Sequence, residues 1–135
     1  MKFSVALRQA ADLLATDRPS GASKWCQRAN ARDAADRDCG VFQPRAAAWS
    51  LAGAVMRALG PERGGDVALW SNPGFLRLTQ HLWTRMTEEE REASKPQFAV
   101  FDWNDHPRRT RREVVEALRA AAEVEAALET KEGAG

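Results

Sequence analysis

Apolar residues along this chain recur mostly at helical intervals. Phe3, Leu7, Ala10, Ala11 and Leu14 lie three or four positions apart, with Arg8, Gln9 and Asp12 facing the other way. That spacing predicts an amphipathic helix from about Ser4 to Ala15, ended by Pro19 and Gly21. Pro44 suits a helix's first turn, where its missing N–H was unpaired anyway. Ala48, Leu51, Ala52, Val55 and Leu59 then make one stripe, and Trp49 and Met56 a second. A helix over Pro44–Leu59 is thus apolar nearly all round and belongs at the centre. Asp66 to Trp70 reads as a single turn, and Asn72-Pro73 opens a helix with Phe75, Leu78, Leu82 and Met86 inward. Arg77 and His81 fall on its outer side. Thr87 with Glu90 and Thr110 with Glu113 each match the spacing by which a hydroxyl and a carboxylate cap a helix reciprocally. The first predicts a short acidic helix to about Ala93. The second opens a last helix with Val114, Ala117, Leu118, Ala121, Val124 and Leu128 inward.

Two stretches depart from this period. Between Trp25 and Val41 residues alternate, and Asp33-Ala34-Ala35-Asp36 reads as a turn, which predicts a short β-hairpin. A two-stranded ribbon is marginal alone, and Gln97 to Asp102 is the best candidate for a third strand. The expected fold is α+β, mainly α: about four main helices around Pro44–Leu59, with a short β-hairpin at one edge. The expected core joins Leu7, Leu14, Trp49, Leu51, Val55, Leu59, Phe75, Leu78, Leu82, Val114 and Leu118. At 135 residues, the expectation is one globular domain over 1–129 and a flexible C-terminal tail over 130–135.

Composition narrows the function classes. The net charge is +1, so bulk electrostatics favour neither nucleic acid nor an anionic membrane. Arg8 and Asp12 interrupt the first apolar stretch, which argues against a signal peptide and leaves a cytoplasmic location as the expectation, with no membrane partner. Five Trp and no Tyr are spread along the chain, as expected if each Trp anchors a segment to a shared core.

The sharpest local feature is the cluster Arg108, Arg109, Arg111 and Arg112, which straddles the start of the last helix. Cations are unfavourable at a helix N-terminus, and a broken local rule is one mark of function. Four guanidinium groups beside free N–H groups suit phosphate, nucleic acid or an acidic protein surface. The alternative is internal neutralisation by Asp102, Asp105 or the acidic run Glu88 to Glu92. Trp103-Asn104-Asp105-His106-Pro107 is the second candidate: an acid–base pair of Asp105 and His106, or a structured loop anchored by Trp103. Arg32-Asp33 reads as a turn clasp. Cys26, Cys39, His81 and His106 lack the paired short spacing of a zinc site, so no metal and no cofactor are expected. A Cys26–Cys39 disulfide is not expected in a reducing compartment.

Several of these residues also form a recognisable series. Trp25-x-Gln27, Ala31-Arg32-Asp33-Ala34, Pro44 leading to Trp49-x-Leu51-x-Gly53-Ala54, and Trp103-Asn104-Asp105-x-Pro107-x-x-Thr110-x-x-Glu113-Val114 together resemble a family of small uncharacterised proteins of bacteria and their phages. The resemblance runs from about Ala10 to Ala121, and the closing Trp-Asn-Asp…Thr…Glu-Val stretch is its most specific part. In that family a Cys often follows the central tryptophan; here the position is Ser50. The resemblance implies a shared fold and a mobile-element origin, and no reaction. The leading expectation is a non-enzymatic protein-interaction or regulatory module, a phage-derived modulator of a host process, binding its protein partner through Arg108, Arg109, Arg111, Arg112, Trp103, Asn104 and Asp105. The alternatives are a nucleic-acid-binding accessory protein using the Arg cluster, and a small enzyme using Asp33, Asp105 or His106.

Overall fold

A computed structural model describes residues 1–134. Seven α-helices and two short strands follow in the order α1 (Phe3–Ala15), β1 (Ala31–Asp33), β2 (Ala46–Trp49), α2 (Leu51–Leu59), α3 (Asp66–Trp70), α4 (Pro73–Arg85), α5 (Glu88–Glu92), α6 (Ala99–Asp102) and α7 (Arg111–Ala134). This is the mainly helical α+β fold that the patterning predicts.

Long α7 lies along α1, and α1 crosses α2. The facing residues are small: Ala6, Ala10 and Ala11 on α1, Ala52 and Ala54 on α2, and Ala117 and Ala122 on α7 are all fully buried. Alanine removes little area from water, but it lets helix axes approach closely and adds dispersion contacts between backbones. Leu7, Leu14, Leu51, Val55, Phe75, Leu78, Leu82, Val114 and Leu118 fill the centre as expected, with Leu59 only partly buried. The caps at Asn72 and Thr87 form as predicted: Asn72 Oδ1 accepts from the N–H groups of Gly74 and Phe75, and Thr87 and Glu90 cap α5 reciprocally. The six-residue apolar stripe does not fully describe α7, however. Val124 is more than half exposed, while Glu125 is buried in a two-pronged ion pair with Arg77 at 2.7 and 2.8 Å.

α1 lacks a side-chain cap of its own. Glu129 supplies one from α7, accepting from the Ser4 N–H at 3.0 Å and the Ser4 hydroxyl at 2.6 Å. Burial raises the Glu129 pKa, but the two Ser4 bonds with Lys2 and Arg8 outweigh it and hold the carboxyl below its usual value. α7 runs one turn further, through the segment expected as a tail, to Ala134; Gly135 lies outside the described residues.

Three local expectations are corrected. The central helix begins at Leu51 rather than Pro44, because Ala46–Trp49 is extended as β2. The Trp49 backbone is bonded sideways, its N–H donating to Lys24 O at 2.8 Å and its carbonyl accepting from Cys26 N at 3.0 Å, which leaves no helical geometry open to it. The Asp33–Asp36 turn forms and its arms pair as expected, over a single antiparallel bridge of Arg32 with Asp38, but the longer partner of β1 is β2, with Ala31 opposite Trp49. The expected third strand at Gln97–Asp102 is instead a 3-10 turn, Pro96–Phe98, running into α6. Ala99, Val100 and Trp103 are buried and Phe98 is exposed, so that aromatic run has a helical face rather than an alternating one. Among the described residues no helix is long and apolar enough to cross a membrane.

Gly53 is where α2 touches the ribbon. A Cβ built there lies 1.9 Å from the Asn30 carbonyl oxygen, which is backbone and cannot step aside. Gly53→Ala is therefore expected to destabilise by roughly 3 kcal/mol, the upper range for overpacking. Gly133→Ala, which meets nothing within 4 Å, is expected to change stability by less than about 1 kcal/mol. Urea denaturation of both variants checks the contrast.

Candidate functional site

The loop after α6 is organised by one buried amide. Asn104 is 1% exposed. Its Oδ1 accepts from the Trp25 indole N–H at 2.7 Å and from the Leu51 N–H at 3.1 Å. Its Nδ2 donates to the Cys26 carbonyl at 3.2 Å and to Asp105 Oδ1 at 3.0 Å. Its own carbonyl accepts from Gln27 Nε2 at 2.8 Å, and the same Gln27 amide donates to His106 O at 2.8 Å. Trp25-x-Gln27 and Asn104-Asp105-His106, nearly eighty residues apart, therefore close on one another at the start of α2. Asp105 Oδ1 also accepts from Arg28 N at 2.8 Å, holding that residue at φ 65°, where non-glycine residues seldom sit.

The arginine cluster divides. Arg109 turns inward: its guanidinium lies 4.0 Å from the centre of the Trp103 ring, and its Nε donates to the Trp103 carbonyl at 2.7 Å. It pairs with Glu90 at 2.6 Å, both side chains about nine-tenths buried, and with Glu113 at 3.3 Å. For Arg109, internal neutralisation is what the fold does, and the acidic run of α5 supplies the carboxylate. Glu113 also accepts from the Thr110 N–H and hydroxyl, while Glu113 N donates to Thr110 Oγ1, so the second capping box forms. Burial raises the Glu113 pKa, but these Thr110 bonds and Arg109 more than offset it and keep the carboxylate below its usual value. Arg108, Arg111 and Arg112 remain outside. Arg111 pairs with Asp17 and Arg112 with Glu116 at 3.1 Å. Trp103 is buried, and its indole N–H is a buried donor without a partner among the described residues.

The other candidates serve their own turns. Asp33 Oδ1 accepts from the N–H groups of Ala35 and Arg37 at 2.9 and 3.0 Å. Those backbone bonds, the Arg37 one first, hold its carboxyl below the ordinary value against the opposing effect of burial. Arg32 reaches Asp38 at 2.7 Å and Gln27 O at 3.1 Å, not Asp33. His106 Nδ1 accepts from Arg108 N at 3.1 Å, so the imidazole closes its own loop rather than meeting Asp105. Cys26 and Cys39 are both free. Among the described residues, no three Cys, His or acidic side chains are grouped to hold a metal.

Sequence reasoning missed a cleft of about 270 Å3 beside Asn104, lined by Arg28, Asn30, Ser50, Phe101 and Asp105. Ser50 caps α2, its Oγ accepting from Gly53 N at 3.0 Å. A serine just before the apolar run Leu51–Met56 carried that signal, but a helix start placed at Pro44 hid it. Arg28 and Phe101 carried none, because they meet only when the Asn104 clasp closes.

Residues 2–124 match the family described as "Family of unknown function (DUF6197)", and the chain belongs to it. No curated protein and no solved structure matches the chain.

Two outcomes test this geometry. Asn104→Ala strands the Trp25 and Leu51 donors inside the protein and is expected to cost about 4 kcal/mol. In a cycle with Trp25→Phe, the two changes are expected to couple by about 1 kcal/mol or more, measured by chemical denaturation. Burial pushes the Cys26 thiol up from 9.0 to about 12, with Arg32 pulling it back and Asp105, Asp36 and Asp38 adding to the rise. Thiolate is the reactive form. Iodoacetamide at neutral pH is therefore expected to leave Cys26 intact in the native protein and to modify it in urea, read by peptide mass spectrometry.

Proposed function

We propose that the protein is a non-enzymatic interaction module that regulates a partner protein, and that the partner docks on the first half of α7. One observation carries this reading. A hollow of about 280 Å3 between the end of α1 and α7 is floored by Ala15 and Val115 and rimmed by Arg111, Arg112 and Arg119, with Glu116 opposing. The carboxylates that neutralise this rim are themselves at the surface: Asp17 for Arg111, Glu116 for Arg112 and Asp12 for Arg119. Exposed ion pairs contribute only about 0–1 kcal/mol. Exchanging them for carboxylates of an acidic partner surface costs little, and it covers Ala15 within a ring of arginine, a residue type enriched at binding hot spots. Arg108 is exposed and extends the basic face.

Arg109, Trp103 and Asn104 leave the list of contact residues, because each is consumed inside the fold. The loss of Arg109 from the basic face also weakens the nucleic-acid alternative, as does the net charge of +1. Asp33 and His106 are engaged by their own turns, which weakens the enzyme alternative. The concrete version of the reading, a phage-borne modulator acting on a host protein in the cytoplasm, rests on the sequence resemblance.

The test is a tagged purification from the native host lysate, comparing the wild-type chain with Arg112→Glu/Arg119→Glu. Both side chains are more than half exposed, so the melting temperature is expected to move by less than about 4 °C. One specific co-purifying protein is expected to be lost. Equal capture by both chains would sink the α7 interface. Nucleic acid in the wild-type eluate, released by moderate salt, would promote the nucleic-acid alternative instead.

A further inference from the structure

The cleft beside Asn104 carries charge that the fold does not use. Arg28 lines it, and its guanidinium makes no hydrogen bond or ion pair among the described residues. Asp105 lines it too. Both of its internal bonds, from Arg28 N and Asn104 Nδ2, go to Oδ1, so Oδ2 is left without a donor among the described residues. These two opposite charges border one cavity yet do not pair with each other. Ser50 lies in the same wall and is 5% exposed. Its Oγ accepts from Gly53 N, and its own proton has no acceptor among the described residues. It sits at the N-terminus of nine-residue α2, where the helix field favours negative charge. The rest of the wall is mixed: Asn30 and Asn104 with Ala29, and one aromatic surface, Phe101, with Trp70 6.0 Å from its ring.

We propose that this cleft binds a small zwitterion, a free α-amino acid with an aromatic or large aliphatic side chain. The carboxylate meets the Arg28 guanidinium and the Ser50 hydroxyl at the positive end of α2. The ammonium meets Asp105 Oδ2, and the side chain packs on Phe101. A carboxylate without an amine faces Asp105 uncompensated, and an amine without a carboxylate faces Arg28 and the helix N-terminus, so the cleft selects a molecule carrying both charges. Its volume of about 270 Å3 falls just under the roughly 300–1,000 Å3 of drug-sized pockets, which suits one amino acid. The site lies apart from the arginines of α7, so it stands or falls independently of the docking face.

The experiment uses the full chain and a mixture of the standard free L-amino acids, observed by saturation-transfer NMR. The binder with the strongest signal is then titrated calorimetrically beside its two single-charge analogues, the amine lacking the carboxylate and the acid lacking the amine. The expected result is a binder with an aromatic or large aliphatic side chain and a Kd tighter than about 1 mM, with each analogue at least about tenfold weaker. Arg28→Gln is expected to weaken the amino acid about tenfold while tightening the amine analogue, which no longer faces a like charge, and Asp105→Asn to weaken the amino acid while tightening the acid analogue for the same reason. Asp105 also holds the loop, so Arg28→Gln, whose side chain has no partner to lose, is the decisive variant. No binder in the mixture, equal affinity for the three probes, or an affinity unmoved by Arg28→Gln would each overturn the proposal.

Discussion

An amide removed from water must have its donors and acceptors matched inside the protein, and Asn104 meets that demand by tying three segments together. Its oxygen takes one bond from Trp25 and one from the first residue of α2; its nitrogen gives one to Cys26 and one to its own neighbour Asp105. Each bond alone adds little net stability. Leaving one unmade costs far more, and that asymmetry makes the arrangement close to all-or-none. The position of the Trp25–Asn30 loop, the start of α2 and the walls of the cleft all follow from it. Gly53 belongs to the same constraint, because the Asn30 carbonyl reaches the helix only where no Cβ stands between them.

Charge is sorted by the same logic. Arg109 sits one residue before the capping Thr110, at the end of a helix where a cation is normally unwelcome. Glu90 and Glu113 both reach it, and the Trp103 ring covers its face. A planar guanidinium suits this sandwich as an ammonium would not, since it stacks and donates in its own plane at once. Arg111 and Arg112 have exposed carboxylate partners, and with Arg108 they stay at the surface. One run of four therefore supplies a structural centre at Arg109 and a basic face from the rest.

The two proposed sites differ in kind. The α7 face is basic, and its arginines are paired with exposed carboxylates. The cleft borders a hydrogen-bonded clasp and is lined by Arg28 and Asp105, whose guanidinium and Oδ2 have no partner among the described residues. The α7 face depends on α7 being fixed, which the alanine-rich seam with α1 and the Glu129 cap on Ser4 provide.

Periodicity and capping chemistry act within a few residues, so the sequence by itself determined the helical class, α1, α4, α5, the start of α7 and most of the largest buried side chains. Asn72-Pro73, Thr87 with Glu90 and Thr110 with Glu113 place helix starts by bonds no longer than one turn. Where two local readings were nearly equal, distant partners chose. Ala46-Ala47-Ala48-Trp49 suits a helix as well as a strand until Lys24 and Cys26 claim the Trp49 backbone. Phe98 to Asp102 looks like a strand until the core takes Ala99, Val100 and Trp103 on one side. The arginine run reads as one patch until α5 brings Glu90 to Arg109. The cleft was invisible for the same reason: Arg28, Ser50, Phe101 and Asp105 share no local pattern, and only the closure of the chain around Asn104 sets them facing one space.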